Sequence, residues 1–107
     1  MSRRRRPPAA APRNPFDPLD GRVDSVLDLH GATSIDVQAR LQSFLETAKR
    51  RTPGGLVHII TGKGRNSPAG PVVKPAVKRL LVGELARFAG AWARDDDDGG
   101  FLIRLKL

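Results

Sequence analysis

The sequence of 107 residues contains no cysteine, and this absence excludes disulfide bridges, thiolate metal sites and a cysteine nucleophile. It also lacks any apolar run near the roughly 20 residues that a membrane-spanning helix needs. The arginines at positions 3–6 are followed by prolines and alanines, so the apolar segment of a secretion signal is missing after them. We therefore expect a cytoplasmic protein that makes no contact with a membrane.

Acidic residues are missing from the first part of the chain. Residues 1–16 contain five of the 19 lysine and arginine residues and none of the 11 acids, and the chain as a whole has a net charge of +8. A strong positive charge favours a polyanionic partner. The sequence therefore predicts binding to DNA or RNA, with added electrostatic affinity from Arg3, Arg4, Arg5 and Arg6.

Large apolar residues are also scarce in residues 1–22, which are rich in proline, alanine and arginine. Such a segment cannot bury enough apolar surface to offset the entropy that is lost on ordering. We predict a disordered basic arm over residues 1–22 and one folded domain over residues 23–107.

The folded part alternates between strand-like and helix-like patterns. Apolar residues recur with helical spacing after Thr33 and after Pro71, and Pro53 and Gly83 mark the ends of these two segments. The predicted strands cover residues 25–30, 56–61, 87–94 and 101–107. The order βαβαββ indicates an α/β fold with a four-stranded mixed sheet, built from two crossovers and a final hairpin.

The end of the first predicted strand carries two side chains that are suited to acid–base chemistry. Asp28 and His30 are two positions apart and so lie on one face of the strand, where a carboxylate and an imidazole can act on the same bond. An imidazole can take up or release a proton near neutral pH. Asp28 would either orient this ring or bind a divalent cation such as Mg²⁺ that activates water. The structural alternative is a plain polar pair on the open face of the sheet.

The loop after the second predicted strand combines glycines, cations and polar donors. It is not a Walker A loop, because Val57 stands where the first glycine belongs, and it is not a dinucleotide-binding loop, because Ser67 replaces the third glycine. Exposed amides and cations in such a loop can bind a phosphate. The predicted phosphate contacts are Gly62, Lys63, Gly64, Arg65 and Asn66, together with Lys74 in the following helix. The structural alternative is a strand-to-helix connection that needs glycine.

Three further features are interpreted as structural. His58 lies inside an apolar strand without a motif around it, and the single tryptophan, Trp92, fits a core position better than a base-stacking one. The four consecutive acids at positions 95–98 resemble a metal site. Consecutive side chains on a turn point in different directions, however, so we expect a solvated loop there.

Taken together, these motifs resemble those of the small MutS-related (Smr) domain. The similarity extends over about residues 23–107 and is carried by Leu27-Asp28-Leu29-His30-Gly31, Thr33, Ile59-Ile60-Thr61-Gly62-Lys63-Gly64, residues 70–77, and Gly99-Gly100 with Leu105-Lys106. The resemblance implies a two-layer α/β sandwich similar to the C-terminal domain of bacterial translation initiation factor three. It also implies nucleic-acid binding and, in many members, endonucleolytic nicking or cleavage of DNA or RNA. The chain departs from the usual pattern where Phe101 follows Gly100 directly, which shortens a loop near the predicted site.

The sequence and the resemblance thus predict an Smr-type endonuclease, assumed to be a monomer, in which Asp28 and His30 act on a phosphodiester bond. The alternative is a DNA- or RNA-binding module of the same fold that does not cleave. A third reading is an interaction domain that its arm tethers to ribosomes or chromatin-like assemblies. The first two readings differ in whether Asp28 and His30 are needed for product formation.

Overall fold

The computed structural model describes residues 17–62, 72–95 and 99–107. Within these residues, four strands and two α-helices follow one another in the order βαβαββ, which confirms the predicted fold class. Their bounds are Ser25–Asp28 (β1), Ser34–Arg51 (α1), Leu56–Ile60 (β2), Val73–Val82 (α2), Ala89–Arg94 (β3) and Gly100–Leu105 (β4), with a short 3₁₀ helix at Ala86–Phe88 before β3. In this part of the chain, neither helix is long and apolar enough to cross a membrane.

The four strands form one mixed sheet in the order β1-β2-β4-β3. β1 is parallel to β2, with Asp28 opposite Ile60, whereas β4 is antiparallel to both β2 and β3. The connections explain these directions, because a helical crossover joins parallel strands and a hairpin joins antiparallel ones. The last strand in the chain therefore lies inside the sheet.

Helix α1 begins after Thr33, whose side-chain oxygen accepts a hydrogen bond from the backbone N–H of Asp36 (3.2 Å). This contact satisfies one of the N–H groups that the first turn of a helix leaves without a partner. In the last turn, Lys49, Arg50 and Arg51 complement the negative end of the helix dipole. Both ends of α1 are thus specified by local sequence.

Both helices pack on one face of the sheet, where the buried apolar residues lie. The helices contribute Val37, Leu41, Leu45 and Ala48 from α1, and Val73, Ala76, Val77, Leu80 and Leu81 from α2. The sheet contributes Val57, Ile59, Phe101, Ile103 and Leu105, among others. Alternation along the strands places Val26, Asp28, His58 and Ile60 on the opposite face. This arrangement is the predicted two-layer sandwich.

Several elements begin or end at other residues than predicted. β1 ends at Asp28 and not at residue 30, because the Ala32 N–H bonds to the Leu29 carbonyl (3.0 Å) and the chain turns at Gly31, where φ is +77°. β3 begins at Ala89 and not at residue 87, because residues 86–88 form the 3₁₀ helix. β2 ends at residue 60, one residue earlier than predicted, and β4 covers residues 100–105 where the prediction was 101–107. α2 begins at residue 73, two residues after Pro71.

Trp92 on β3 occupies a structural position, as predicted. Its ring packs edge-on against Phe101, with 5.8 Å between the ring centroids. It is partly buried against the apolar core. The tryptophan therefore lies on the helix-covered face of the sheet.

Arg104 on β4 attaches the segment before β1 to the sheet. Its guanidinium group donates hydrogen bonds to the carbonyl oxygens of Pro18 (2.6 Å), Asp20 (3.2 Å) and Gly54 (3.0 Å). The attachment begins earlier in the chain than residue 23, where the sequence predicts the start of the folded domain. The remainder of the predicted arm, residues 1–16, lies outside the described residues.

Candidate nucleic-acid site at the ends of two parallel strands

The candidate site lies where β1 and β2 end side by side. Because these strands are parallel and Asp28 is opposite Ile60, the residues after each strand emerge at the same edge of the sheet. The Leu29 N–H extends the pairing by donating to the Ile60 carbonyl (2.7 Å). As a result, a Cβ atom on Gly62 would lie 3.4 Å from the Cβ atom of His30. The two motifs singled out in the sequence therefore meet at one place.

Asp28 and His30 form a directly hydrogen-bonded pair. Asp28 Oδ1 lies 2.7 Å from His30 Nδ1, and it also accepts the backbone N–H of His30 (3.0 Å). These two contacts hold both the imidazole ring and the chain that follows β1. The pair is open to solvent, since the side chains of His30 and Asp28 are 72% and 50% exposed. A substrate can therefore reach it.

The ionisation of Asp28 determines which nitrogen of His30 carries the proton. Partial burial acts to raise the pKa of Asp28, but hydrogen bonds from the ring and backbone of His30, together with the charges of His30 and Arg40, outweigh this effect and lower it. Asp28 is therefore a carboxylate at neutral pH, and a carboxylate only accepts hydrogen bonds. A neutral His30 must then carry its proton on Nδ1, which leaves the lone pair on Nε2. Nε2 is the nitrogen that can take a proton from a nucleophile.

The beginning of the glycine loop is held by the carbonyl group of Gly99. This oxygen accepts hydrogen bonds from the backbone N–H groups of Thr61 (2.8 Å) and Gly62 (3.0 Å) and from the Thr61 hydroxyl (3.2 Å). Thr61 is buried, and Gly62 has a φ of +77°, which glycine adopts without steric cost. The backbone at Gly62 is thus fixed beside His30.

Arg40 is a residue of this region that the sequence analysis did not identify. Its Nη2 atom donates a hydrogen bond to the main-chain carbonyl oxygen of Asp28 (2.9 Å). Side chains on a helix point toward its N-terminus, and this direction brings Arg40 from the second turn of α1 to the end of β1. The signal that would have indicated it is its spacing of three residues from the buried Val37, which places Arg40 beside the core-facing stripe.

Part of the predicted phosphate-binding set lies outside the described residues. This part comprises Lys63, Gly64, Arg65 and Asn66 in the glycine loop and Arg3, Arg4, Arg5 and Arg6 in the arm. Lys74 is half-buried in the first turn of α2. The binding roles of all these residues stay predictions.

A second Asp–His pair occurs on the same face of the sheet. His58 Nε2 lies 2.8 Å from Asp95 Oδ2, and Asp95 Oδ1 accepts the backbone N–H of Gly99 (3.0 Å). The side chains of His58 and Asp95 are only 24% and 15% exposed. The expectation that Asp95 belongs to a solvated loop is therefore wrong, because both of its oxygens are bonded within the protein. The pairing agrees with the structural role predicted for His58, and residues 96–98 lie outside the described residues.

Among the residues that the structure describes, few side chains near the candidate site could bind a divalent cation. No group of three or more His, Cys, Asp or Glu residues lies together in the described part of the chain. Asp28 Oδ1 already accepts two hydrogen bonds, so Oδ2 is the carboxylate oxygen that remains. Mg²⁺ requires octahedral coordination and retains water readily. One carboxylate oxygen does not form a resident magnesium site, and a cation here would depend on water and substrate phosphate for its other ligands.

The fold and the two paired strand ends define an α/β domain with an exposed Asp–His pair beside Gly62. Comparison with protein families identifies the class: the Smr domain family matches residues 27–106, and the chain belongs to this family. Membership supports nucleic-acid binding as the general function. An uncharacterised protein of Treponema pallidum (strain Nichols) is 43% identical over 55 residues, which cover 51% of this chain and 27% of that protein. The matched region is thus a minor part of the relative's length.

Proposed function

We propose that this chain is an Smr-type endonuclease that binds DNA or RNA and nicks or cleaves its phosphodiester bonds, with the Asp28–His30 pair as the proton-transfer group. The observation that carries the proposal is the 2.7 Å contact between Asp28 Oδ1 and His30 Nδ1 at an exposed strand end. The net charge of +8 favours a polyanionic substrate. Membership of the Smr family supports nucleic-acid binding.

The proposed reaction uses the lone pair on His30 Nε2. As a water molecule attacks phosphorus, a new P–O bond forms and Nε2 accepts the proton of that water. The bond between phosphorus and the leaving oxygen breaks, and the leaving oxygen takes a proton from solvent. Asp28 holds the ring through Nδ1–H and stabilises the positive charge that the imidazole gains.

The test is cleavage of end-labelled DNA and RNA by the wild-type protein, with Mg²⁺ and with EDTA. We expect His30→Ala and Asp28→Ala each to lower the single-turnover rate by roughly 10² or more, the usual scale for loss of a general base. Binding should change little, because neither residue is a cationic phosphate contact. The EDTA arm shows whether product formation requires a divalent cation.

The matched control is Asp36→Asn in the first turn of α1. This substitution removes one negative charge at a position near Asp28 and His30 in the sequence. It leaves the Asp28–His30 contact in place, so we expect cleavage at the wild-type rate. Wild-type activity in His30→Ala would contradict the assignment of the pair. If the wild-type protein binds DNA or RNA but forms no cleavage product, the result would instead support the alternative of a binding module that does not cleave.

Lys63, Arg65 and Lys74 are proposed as contacts to substrate phosphate. A cation that meets a phosphate releases a counterion, so Lys63→Ala should weaken binding equally for all sequences and reduce the salt slope by about one unit. Binding across a salt series with several unrelated sequences measures both quantities. A loss confined to some sequences would mean that Lys63 reads bases.

A further inference from the structure

We propose that Arg40 binds a phosphate group of the nucleic acid at the Asp28–His30 pair. The inference rests on the proposed function, because it concerns the phosphate on which this pair would act. A guanidinium group presents five N–H donors in one plane and can bind two oxygens of a phosphate at once. The chemistry of Arg40 therefore suits the ligand.

The position of Arg40 follows from the direction of the peptide groups in β1. The Leu29 N–H points toward β2, where it bonds to the Ile60 carbonyl. The carbonyl of the same peptide unit, that of Asp28, therefore points to the free edge of the sheet, and this is the oxygen that accepts from Arg40 Nη2 (2.9 Å). The guanidinium thus lies on the outer side of the pair, and Gly62 lies on the inner side.

The contact leaves most of the binding capacity of Arg40 available. The Asp28 carbonyl oxygen is neutral, and the contact involves one nitrogen of the guanidinium group. Arg40 is exposed, and within the described residues it forms no ion pair with a carboxylate. Arg40 therefore forms no ion pair with Asp36 either, although Asp36 lies one turn earlier on α1. The positive charge of Arg40 acts on Asp28 through space and contributes to lowering its pKa. The other N–H donors of the guanidinium group can reach an incoming anion.

Arg104 shows how an arginine with a structural role is bonded in this chain. Its guanidinium donates to three main-chain carbonyl groups and is partly buried. Among the described residues, Arg40 donates one such bond, and its side chain is exposed. An arginine that only joined two segments of chain would not need to lie open beside an ionised carboxylate and an accessible imidazole.

The test measures binding in a His30→Ala background, so that the nucleic acid is cleaved far more slowly during the measurement. Arg40→Gln removes the charge but keeps an N–H donor for the Asp28 carbonyl, and Arg40→Lys keeps the charge but loses the planar fork. The affinity of each variant for a labelled DNA or RNA hairpin is measured from about 50 to about 300 mM KCl. For Arg40→Gln we expect an affinity roughly tenfold lower and a salt slope smaller by about one unit, with Arg40→Lys intermediate.

Arg50→Gln is the matched control, because Arg50 is an exposed arginine about 15 Å further along the same helix. We expect it to bind like the parent protein. Unchanged affinity and slope in Arg40→Gln, or equal losses in Arg50→Gln, would overturn the inference about Arg40 alone. Failure of the parent protein to bind either nucleic acid would overturn the proposed function, and this inference with it.

Discussion

The Asp28–His30 and His58–Asp95 pairs are joined by contacts of 2.7 and 2.8 Å on the same face of the sheet. The first pair joins neighbours in the chain and is largely exposed, whereas the second joins residues 37 positions apart and is mostly buried. The bonded ring nitrogen also differs, being Nδ1 in His30 and Nε2 in His58. The same two residue types thus form an accessible pair in one place, for which we propose a role in proton transfer, and an internal link in the other.

The two arginines follow the same division. Arg40 is exposed beside the first pair and, in the described part of the chain, donates to one carbonyl oxygen. Arg104 donates to three carbonyl oxygens and is partly buried. Position in the fold, and not residue type, therefore separates the groups that are available to a ligand from those that hold the chain together.

The largest expected effect is a difference in activity between the two histidines. His30→Ala should lower the cleavage rate by roughly 10² or more, because it removes the proposed general base. His58→Gln should cleave at nearly the wild-type rate at a temperature where it is folded. Single-turnover cleavage and circular dichroism on both variants check this. Equal losses of activity would erase the distinction between the pairs.

For stability we expect the opposite order: loss of the His58–Asp95 pair should lower the free energy of unfolding more than loss of the Asp28–His30 pair. Asp95→Ala leaves His58 and the Gly99 N–H without their partner in a mostly buried place, and we expect it to lower the free energy of unfolding by about 1–3 kcal/mol. Asp28→Ala removes an exposed contact and should cost at most about 1 kcal/mol. Urea denaturation measures both values. A larger loss in Asp28→Ala would mean that the exposed pair also holds the fold.

Two truncations test the structural role of Arg104. Removal of residues 1–16 should leave the free energy of unfolding unchanged and reduce the salt slope of binding by up to about three to four units through loss of the arginines. Removal of residues 1–22 also deletes the Pro18 and Asp20 carbonyl groups, and the loss of these two acceptors should cost about 1–3 kcal/mol. Denaturation and binding curves for both proteins give the answer. Equal stability of the two truncated proteins would show that the contacts of Arg104 with Pro18 and Asp20 contribute nothing to stability.

The smallest expected effect is a pH dependence of stability from Asp28. Partial burial raises its pKa, but the hydrogen bonds from His30 more than offset this, so the pKa in the folded state lies below the ordinary value of 3.8. A lowered carboxyl pKa stabilises the fold above the unfolded pKa, and this contribution is lost as the pH falls through the folded pKa. The stability difference between wild type and Asp28→Asn should therefore be small at neutral pH and shrink below about pH 4. A difference that grows on acidification would contradict the assigned direction.

The parts of the molecule that could be predicted are those that depend on neighbours in sequence. The order of strands and helices follows from local periodicity, and the start of α1 after Thr33 follows from the helical spacing of the apolar residues that come next. Alternation along a strand predicts that Asp28 and His30 lie together; they do, although β1 ends at Asp28 and the hydrogen bond from the His30 N–H to Asp28 Oδ1 joins them beyond the strand. The start of β3 was missed because the apolar residues of the 3₁₀ helix resemble a continuation of that strand.

The parts that could not be predicted depend on residues far apart in the chain. Asp95 stands in a run of four acids, and nothing near it indicates that His58 is its partner. The contact of Arg40 with the Asp28 carbonyl likewise depends on how α1 lies against β1. Local patterns specify elements and short-range pairs, whereas these contacts are set by tertiary packing.

The position of β4 in the sheet has a consequence for how the domain folds during translation. β4 is an inner strand in the order β1-β2-β4-β3, yet it is the last of the four in the chain. During synthesis β1 and β2 can pair once α1 has formed. The other edge of β2, which pairs with β4 in the finished sheet, has no strand to pair with until residues 100–105 have left the ribosome. An open strand edge of this kind pairs readily with other chains. The β3–β4 hairpin is a local structure and closes fast, so a pause in translation before residue 100 would lengthen the interval in which nascent chains can aggregate.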